Sequence, residues 1–132
     1  NQKKYNQIIE LYEKFFRQQI DKADIWFEVG YAFYQLGSLE KAKYAYNRSI
    51  DINGDSSTTL NNLANIYEKE DKLDQAIDMY QRALSLKSDD DLIKNNLDNA
   101  VNEQNKITNE IQKKNAINKL FLNGFNSPPI II

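Results

Sequence analysis

Apolar residues recur along the chain at the spacing of an amphipathic helix. Between residues 23 and 56 they fall into two stripes, the first made of Trp26, Val29, Gly30 and Phe33 and the second of Leu39, Ala42, Tyr46 and Ile50. Residues three or four positions apart lie on one side of an α-helix. The pattern therefore predicts two helices in this segment, each with one buried face.

A turn between the two stripes is indicated by Gly37, because glycine readily adopts the positive φ that ends a helix. Ser38 follows, and serine is a preferred residue at the start of a helix. In the next unit Asp71 stands in place of the glycine, and aspartate enters the left-handed region more easily than most residues. Both units are thus predicted to be helical hairpins.

The pattern returns after 34 residues. A shift of this length aligns Phe33 with Tyr67, Leu39 with Leu73, Ala42 with Ala76, Tyr46 with Tyr80 and Arg48 with Arg82. Such a period is typical of stacked helical repeats, and it predicts complete units over residues 23–56 and 57–90. Small residues would let neighbouring helices approach closely; these are Gly30, Ala42, Ala64, Ala76 and Ala83.

The repeat extends toward the N-terminus as half a unit. Tyr5, Ile8, Tyr12 and Phe15 align with Leu39, Ala42, Tyr46 and Ser49. Residues 3–20 are therefore predicted to be the second helix of an earlier unit, which occupies residues 1–22. Its first helix is expected upstream in a longer parent protein, and a degenerate N-terminal cap is the alternative.

Toward the C-terminus a third unit begins at residue 91 and then loses the repeat pattern. Stacked repeats need a terminal element with a polar outer face, so residues 91–122 are predicted to form a long capping helix or degenerate repeat. Asn123-Gly124 is the predicted stop, followed by an extended tail over 123–132 with two prolines. A hairpin bent near Asn105 is the alternative.

The amino-acid composition excludes several kinds of catalytic and metal site. The chain contains no cysteine and no histidine, which excludes thiol catalysis, Cys/His zinc sites and the usual general base. The run Asp89–Asp91 is explained by helix capping and solvation. We expect no enzymatic activity, no catalytic residue, no metal and no cofactor.

The net charge of the chain is −2, which is too small to favour binding to nucleic acid. The cellular compartment stays open.

The two complete units resemble the tetratricopeptide repeat, whose pattern has a bulky residue, Leu-Gly, an aromatic, a turn glycine, an alanine, an aromatic and another alanine. Residues 57–90 carry it as Leu60, Leu63-Ala64, Tyr67, Asp71, Ala76, Tyr80 and Ala83. Ser49 departs from the alanine that is usual at its position. The resemblance implies an all-α superhelix, a solenoid of helical hairpins with a long C-terminal capping helix.

The resemblance also implies a peptide-binding groove on the concave face, lined by the first helix of each unit. The groove positions are Phe27, Tyr31, Tyr34, Asn61, Asn62, Asn65, Asn95, Asn96 and Asn99. Asn62 and Asn96 match a position at which some members hold a peptide backbone through an asparagine ladder, and Glu28 limits the ladder to two rungs. The alternative is that the asparagines reflect genome composition.

The aromatic groove residues have two interpretations. Phe27, Tyr31 and Tyr34 lie opposite the buried stripe, so they are expected to contact a partner's apolar side chains. Packing against the N-terminal helix is the alternative. The lysine–asparagine–arginine clamp by which another branch of the family binds acidic C-terminal peptides is absent, because only Asn62 fits it.

The sequence thus predicts a scaffold or adaptor that binds extended segments of a protein partner. The alternative is a structural module that self-associates through edge helices or its C-terminal tail. Ile130–Ile132 is too short to establish that a membrane segment begins there, and membrane attachment outside the chain stays open.

Overall fold

The computed structural model describes residues 1–15 and 22–126, except for the side chains of residues 15, 125 and 126. Every regular element in this part of the chain is a helix. The helices are α1 (Gln2–Phe15), α2 (Ala23–Gln35), α3 (Leu39–Asn53), α4 (Ser57–Lys69), α5 (Leu73–Leu86) and α6 (Asp91–Asn126). The predicted all-α class is confirmed. Residues 16–20 of the predicted first helix lie outside the described residues.

Helices α2 and α3 form one hairpin, α4 and α5 form the next, and both turns use the predicted backbone conformation. Gly37 has a φ of 78° and Asp71, its counterpart, has a φ of 58°. Matching backbone hydrogen bonds close the two helix ends. The Ser38 N–H donates to the Phe33 carbonyl in the first turn, and the Lys72 N–H donates to the Tyr67 carbonyl in the second. The same hairpin geometry is therefore built once on glycine and once on aspartate.

The core contains two clusters of buried residues, one built from α2, α3 and α4 and the other from α4, α5 and α6. The first is centred on Trp26 and Tyr46, and the second on Leu60 and Tyr80. The small residues predicted at the helix contacts, from Gly30 to Ala83, are all buried. Three partly buried residues pack against both clusters and make the core continuous; they are Ile50, Tyr67 and Met79.

Ser49 replaces the usual alanine for a structural reason. Its hydroxyl donates a hydrogen bond of 2.9 Å to the backbone carbonyl of Ala23 in the first turn of α2. Both groups are buried, so the bond satisfies a hydroxyl that would otherwise be unpaired in the core. The departure from the family pattern thus joins the end of α3 to the beginning of α2.

Helix α6 is continuous from Asp91 to Asn126. The predicted stop at Asn123-Gly124 is wrong, because Gly124 is helical and the left-handed glycines of the described chain are Gly37 and Gly54. The alternative hairpin near Asn105 is also wrong, because α6 continues through that position without a break. Residues 127–132 of the predicted extended tail lie outside the described residues.

An ion-pair cluster joins the two hairpins at their turns. The Lys43 ammonium on α3 lies 2.7 Å from a Glu70 carboxylate oxygen at the end of α4, and Lys72 contacts the same carboxylate at 3.0 Å. The hydrogen bond from Lys43 is the main reason that the pKa of Glu70 falls to about 2, from an ordinary value of 4.5. Since folding favours the charged carboxylate, this cluster stabilises the fold above pH 4.5.

Glu70→Gln is expected to lower the free energy of unfolding by about 1 kcal/mol at pH 7, because the Glu70 side chain is only 14% exposed. The difference from wild type should disappear as pH falls from 4.5 toward 2, where Glu70 itself becomes protonated in the folded chain. Urea unfolding across this range would measure it. Glu40→Gln is the control, because Glu40 also pairs with Lys43 but is 82% exposed. An equal effect of both substitutions would contradict the prediction.

Candidate functional site

The first helices of the three units, α2, α4 and α6, lie side by side and form what we call the first-helix face. Lys69 on α4 places its ammonium 4.9 Å from the centre of the Tyr34 ring on α2. On the other side, the Asn96 amide of α6 donates a hydrogen bond of 3.1 Å to the Asn61 carbonyl of α4. These two contacts bring Tyr34, Asn61 and Asn96 of the predicted groove onto neighbouring helices.

The three predicted aromatic residues differ in exposure. Phe27 is half-buried, with its ring 5.6 Å from that of Tyr46, and Tyr34 is half-buried beneath Lys69. Tyr31 is 38% exposed, and its ring meets that of Tyr5 on α1 edge to face at 5.9 Å. Tyr31 thus combines packing on the N-terminal helix with a surface that another molecule can contact.

The asparagines of α4 are tied to groups of the chain itself. Asn61 is only 7% exposed and accepts from Asn96. The Asn62 amide donates to the Tyr46 hydroxyl at 3.2 Å, and the Asn65 carbonyl oxygen lies 2.5 Å from the Tyr80 hydroxyl. These bonds fix the orientation of the amides, since an asparagine that donates through its nitrogen presents its oxygen elsewhere.

The asparagines of α6 are more open. Asn95 and Asn99 are exposed and Asn96 is half-buried. Asn96, like Asn62, uses its amino group in an internal bond. No buried side-chain nitrogen or oxygen in the described residues lacks a hydrogen-bond partner, so neither of these two amide carbonyl oxygens is both buried and unpaired. An amide carbonyl oxygen can accept a hydrogen bond from a backbone N–H group.

Two tyrosines of the second helices, for which the sequence indicated only a packing role, deliver their hydroxyls to this face. Burial is the main cause that raises the pKa of both Tyr46 and Tyr80, so both are neutral phenols at physiological pH. The Tyr80 hydroxyl lies 2.6 Å from a carboxylate oxygen of Glu68. It has one proton, so it donates fully to either Glu68 or Asn65. Tyr46 and Tyr80 occupy the same position in the repeat. This recurrence was the signal in the sequence that could have pointed to a role for both hydroxyls.

A depression of about 270 Å³ lies at one end of the face, between the start of α2, the end of α3 and the start of α4. Phe27 contributes an apolar ring to its lining, and Asp24 and Thr58 contribute polar groups. Asp55 also lines it, but its carboxylate is paired with Arg82 at 2.9 Å. The depression therefore offers room for one side chain beside the Asp24 carboxylate.

Two sequence profiles match the segment that contains these helices. The profile of the tetratricopeptide repeat matches residues 57–90, and a second profile of the same repeat matches residues 30–71. Residues 30–90 of the chain are tetratricopeptide repeats. Tetratricopeptide repeats are protein-interaction scaffolds, and such modules are typically not enzymes.

A TPR repeat-containing protein of Methanocaldococcus jannaschii is 35% identical over 52 residues, which cover 39% of this chain and 9% of that protein. The chain thus spans about a tenth of the length of the curated relative that it matches. Two crystal structures of MamA share the tetratricopeptide fold. The first is similar to this chain with a TM-score of 0.73 and 19% sequence identity, over 97% of this chain and 70% of that chain. The second is similar with a TM-score of 0.64 and 23% sequence identity, over 85% of this chain and 71% of that chain.

Two further observations concern metals and membranes. Within residues 1–15 and 22–126, no three acidic side chains are grouped so that they could hold a metal ion. In the same part of the chain, no helix combines the length and apolar character that a membrane span requires.

Proposed function

We propose that this tetratricopeptide repeat protein binds an extended segment of a protein partner along its first-helix face. The observation that carries the proposal is the pair of oriented amides on adjacent helices. Asn62 and Asn96 each donate through the amino group to another side chain of the protein, and each is half-buried, so the carbonyl oxygen of each would be the group that accepts from a bound segment. An extended segment has backbone N–H groups that need acceptors, and such acceptors give sequence-tolerant binding.

The same face indicates which side chains the bound segment would carry. Tyr31 offers a partly exposed ring that is already held by Tyr5, and a rigid aromatic loses little entropy on binding. Asp24 and Glu28, both on α2 and one helical turn apart, lie at the surface and would attract a basic side chain. We therefore expect a segment with an apolar residue near a lysine or arginine.

Selection of random peptides on the immobilised chain would test this proposal, followed by calorimetric titration of the selected peptides. Tyr31→Ala combined with Asn99→Ala is expected to weaken binding about tenfold or more, because an aromatic anchor and an exposed amide are lost. The melting temperature should change little. Asp24→Asn should reduce the preference for basic peptides.

The matched control places the same two substitutions on a second helix. Tyr44 is 52% exposed and Asn47 is exposed, and both lie on α3, away from the first-helix face. Tyr44→Ala with Asn47→Ala should leave peptide affinity unchanged. Equal weakening by both pairs of substitutions, or failure of any peptide to bind, would contradict the proposed face.

A further inference from the structure

Helix α6 consists of a packed half and a projecting half. As far as Gln104 it packs against α5, and Gln104 hydrogen-bonds to Asp74 at the beginning of that helix. Every residue from 105 to 124 is exposed. At about 1.5 Å per residue, this half of the helix extends about 30 Å. The projecting half is therefore the part of α6 that a large surface can reach.

Charge is divided unevenly along the chain. C-terminal to Glu110 the sequence has no acidic residue, and residues 111–132 carry a net charge of +3 from Lys113, Lys114 and Lys119. The whole chain has 17 basic and 19 acidic residues, so residues 1–110 have 14 basic and 19 acidic residues and a net charge of −5. Such an asymmetry indicates that the basic segment binds an anionic surface, from which the acidic remainder is repelled.

The three lysines of this segment are not neutralised by the protein. Within residues 1–15 and 22–126, no carboxylate forms an ion pair with any of them. Lys106, by contrast, precedes Glu110 and lies 3.8 Å from a Glu103 carboxylate oxygen. The charge of residues 111–126 is thus fully available to another molecule.

Apolar residues are concentrated after the first two of these lysines. From residue 117 to residue 132, 8 of 16 residues are large and apolar. Among them Ile117, Leu120 and Leu122 are 64%, 72% and 61% exposed. Successive helix residues are about 100° apart, so Leu120 and Leu122 lie on nearly opposite sides of α6. A groove in a folded protein would cover one side, whereas a lipid surface can surround the end of a helix.

The combination of lysines and apolar residues matches the two layers of a membrane surface. Lysine ammonium groups stay near anionic headgroups while their aliphatic stems lie along apolar surface. Leucine and isoleucine side chains enter the boundary between headgroups and acyl chains. An acidic protein surface would attract the lysines as well, but it would leave the apolar residues in water.

We propose that the segment of α6 from residue 111 to residue 126 binds the surface of an anionic phospholipid membrane. The repeats stay off that surface, because their net charge is negative. The groove asparagines of α6, which are Asn95, Asn96 and Asn99, all precede the projecting half. Membrane binding is therefore independent of the proposed peptide binding, and the two can occur together.

Binding should also stabilise the helix itself. Residues 105–124 include five asparagines and Gly124, and both residue types disfavour helix interiors relative to alanine. Isolated helices of about this length are marginal in water even with better helix formers. An interface that takes up the apolar side chains favours the helical form, so anionic vesicles should increase the helical circular dichroism of the chain.

Sedimentation of the full chain with phospholipid vesicles tests the proposal. We expect binding to phosphatidylcholine vesicles that contain about 30% phosphatidylserine, and little binding to phosphatidylcholine alone, because the charge attraction is then absent. Binding should weaken as NaCl rises from about 0.05 M to about 0.5 M, since salt screens the attraction.

Paired lysine substitutions locate the basic contact. Lys113→Gln with Lys114→Gln should weaken binding to the anionic vesicles about tenfold or more. Lys3→Gln with Lys4→Gln is the matched control, because these adjacent lysines are also exposed but lie on α1. The control should change binding by less than about threefold. All four side chains are exposed, so the melting temperature should stay the same in both variants.

Leucine substitutions separate a lipid surface from an acidic protein. Leu120→Gln with Leu122→Gln should weaken vesicle binding about tenfold or more, because the apolar contact is lost while the charge is kept. Leu86→Gln is the control; Leu86 is 54% exposed but lies at the end of α5, and binding should stay within about threefold.

A fluorescent label shows which part of the chain enters the interface, since the natural chain has no cysteine. A polarity-sensitive dye on Leu122→Cys should shift to the blue with anionic vesicles, and the same dye on Asn47→Cys should not. Absence of binding at about millimolar lipid overturns the proposal. Equal weakening by the two lysine pairs also overturns it. Full binding by the leucine variant does so too, because the contact would then be purely electrostatic and equally suited to an acidic protein.

Discussion

Replacement of Tyr46 with alanine is expected to lower the free energy of unfolding by about 3–5 kcal/mol. The Tyr46 side chain is fully buried, its ring packs against Phe27, and its hydroxyl accepts a hydrogen bond from Asn62. Alanine would leave a cavity between α2, α3 and α4 and remove the partner of the Asn62 amide. Both changes destabilise the fold.

Urea unfolding of wild type and variants measures this effect. Tyr46→Phe keeps the ring and loses the hydroxyl, so it is expected to cost about 1 kcal/mol. Tyr44→Ala is the control on the same helix, because Tyr44 is 52% exposed and meets the core only through an edge-to-face contact with Trp26 at 5.8 Å; it should cost about 1 kcal/mol. A loss at Tyr46 no larger than the loss at Tyr44 would show that the ring is not the centre of the first core cluster.

The helical hairpins were predictable because the repeat imposes the same local physics twice. Apolar spacing located the helices, and Gly37 and Asp71 located the turns; both have the positive φ that the alignment indicated. The buried small residues followed from the same comparison. Agreement between spacing, turn chemistry and period makes such a fold readable from one sequence.

Hydrogen bonds across the first-helix face could not be predicted in the same way. Tyr46 and Tyr80 align, yet the Tyr46 hydroxyl meets Asn62 of the next unit, while the Tyr80 hydroxyl meets Asn65 and Glu68 of its own. The partner of a hydroxyl depends on small shifts between neighbouring helices. A 34-residue alignment does not contain that information.

The end of α6 was mispredicted because Asn123-Gly124 has the composition of a helix end, whereas the helix continues through it to Asn126. Asn123-Gly124 is a good helix end when glycine takes a positive φ, but a glycine with helical dihedrals costs only about 1 kcal/mol. Gly124 has no positive φ, and a methyl group added to its Cα would meet nothing within 4 Å, so its surroundings do not force a turn. A sequence window alone could not distinguish the two uses of glycine.

Gly30→Ala is expected to lower the free energy of unfolding by about 1–3 kcal/mol, although alanine is the better helix former. A Cβ at position 30 would lie 2.7 Å from the Tyr46 ring, well inside van der Waals contact. The ring is fully buried and has no room to retreat. Ala64 occupies the same repeat position in the next unit, so the clash is specific to the first hairpin. Gly124→Ala is the control, with nothing near the added methyl group.

A double-mutant cycle separates this clash from a general intolerance of change at position 30. In the Tyr46→Ala background the ring is absent, so Gly30→Ala should become neutral or stabilise the helix by up to about 1 kcal/mol. The coupling energy between the two positions is then about 1–4 kcal/mol, measured by urea unfolding of the four proteins. Additive losses would mean that α2 needs glycine at this position for its backbone and not for its contact with Tyr46.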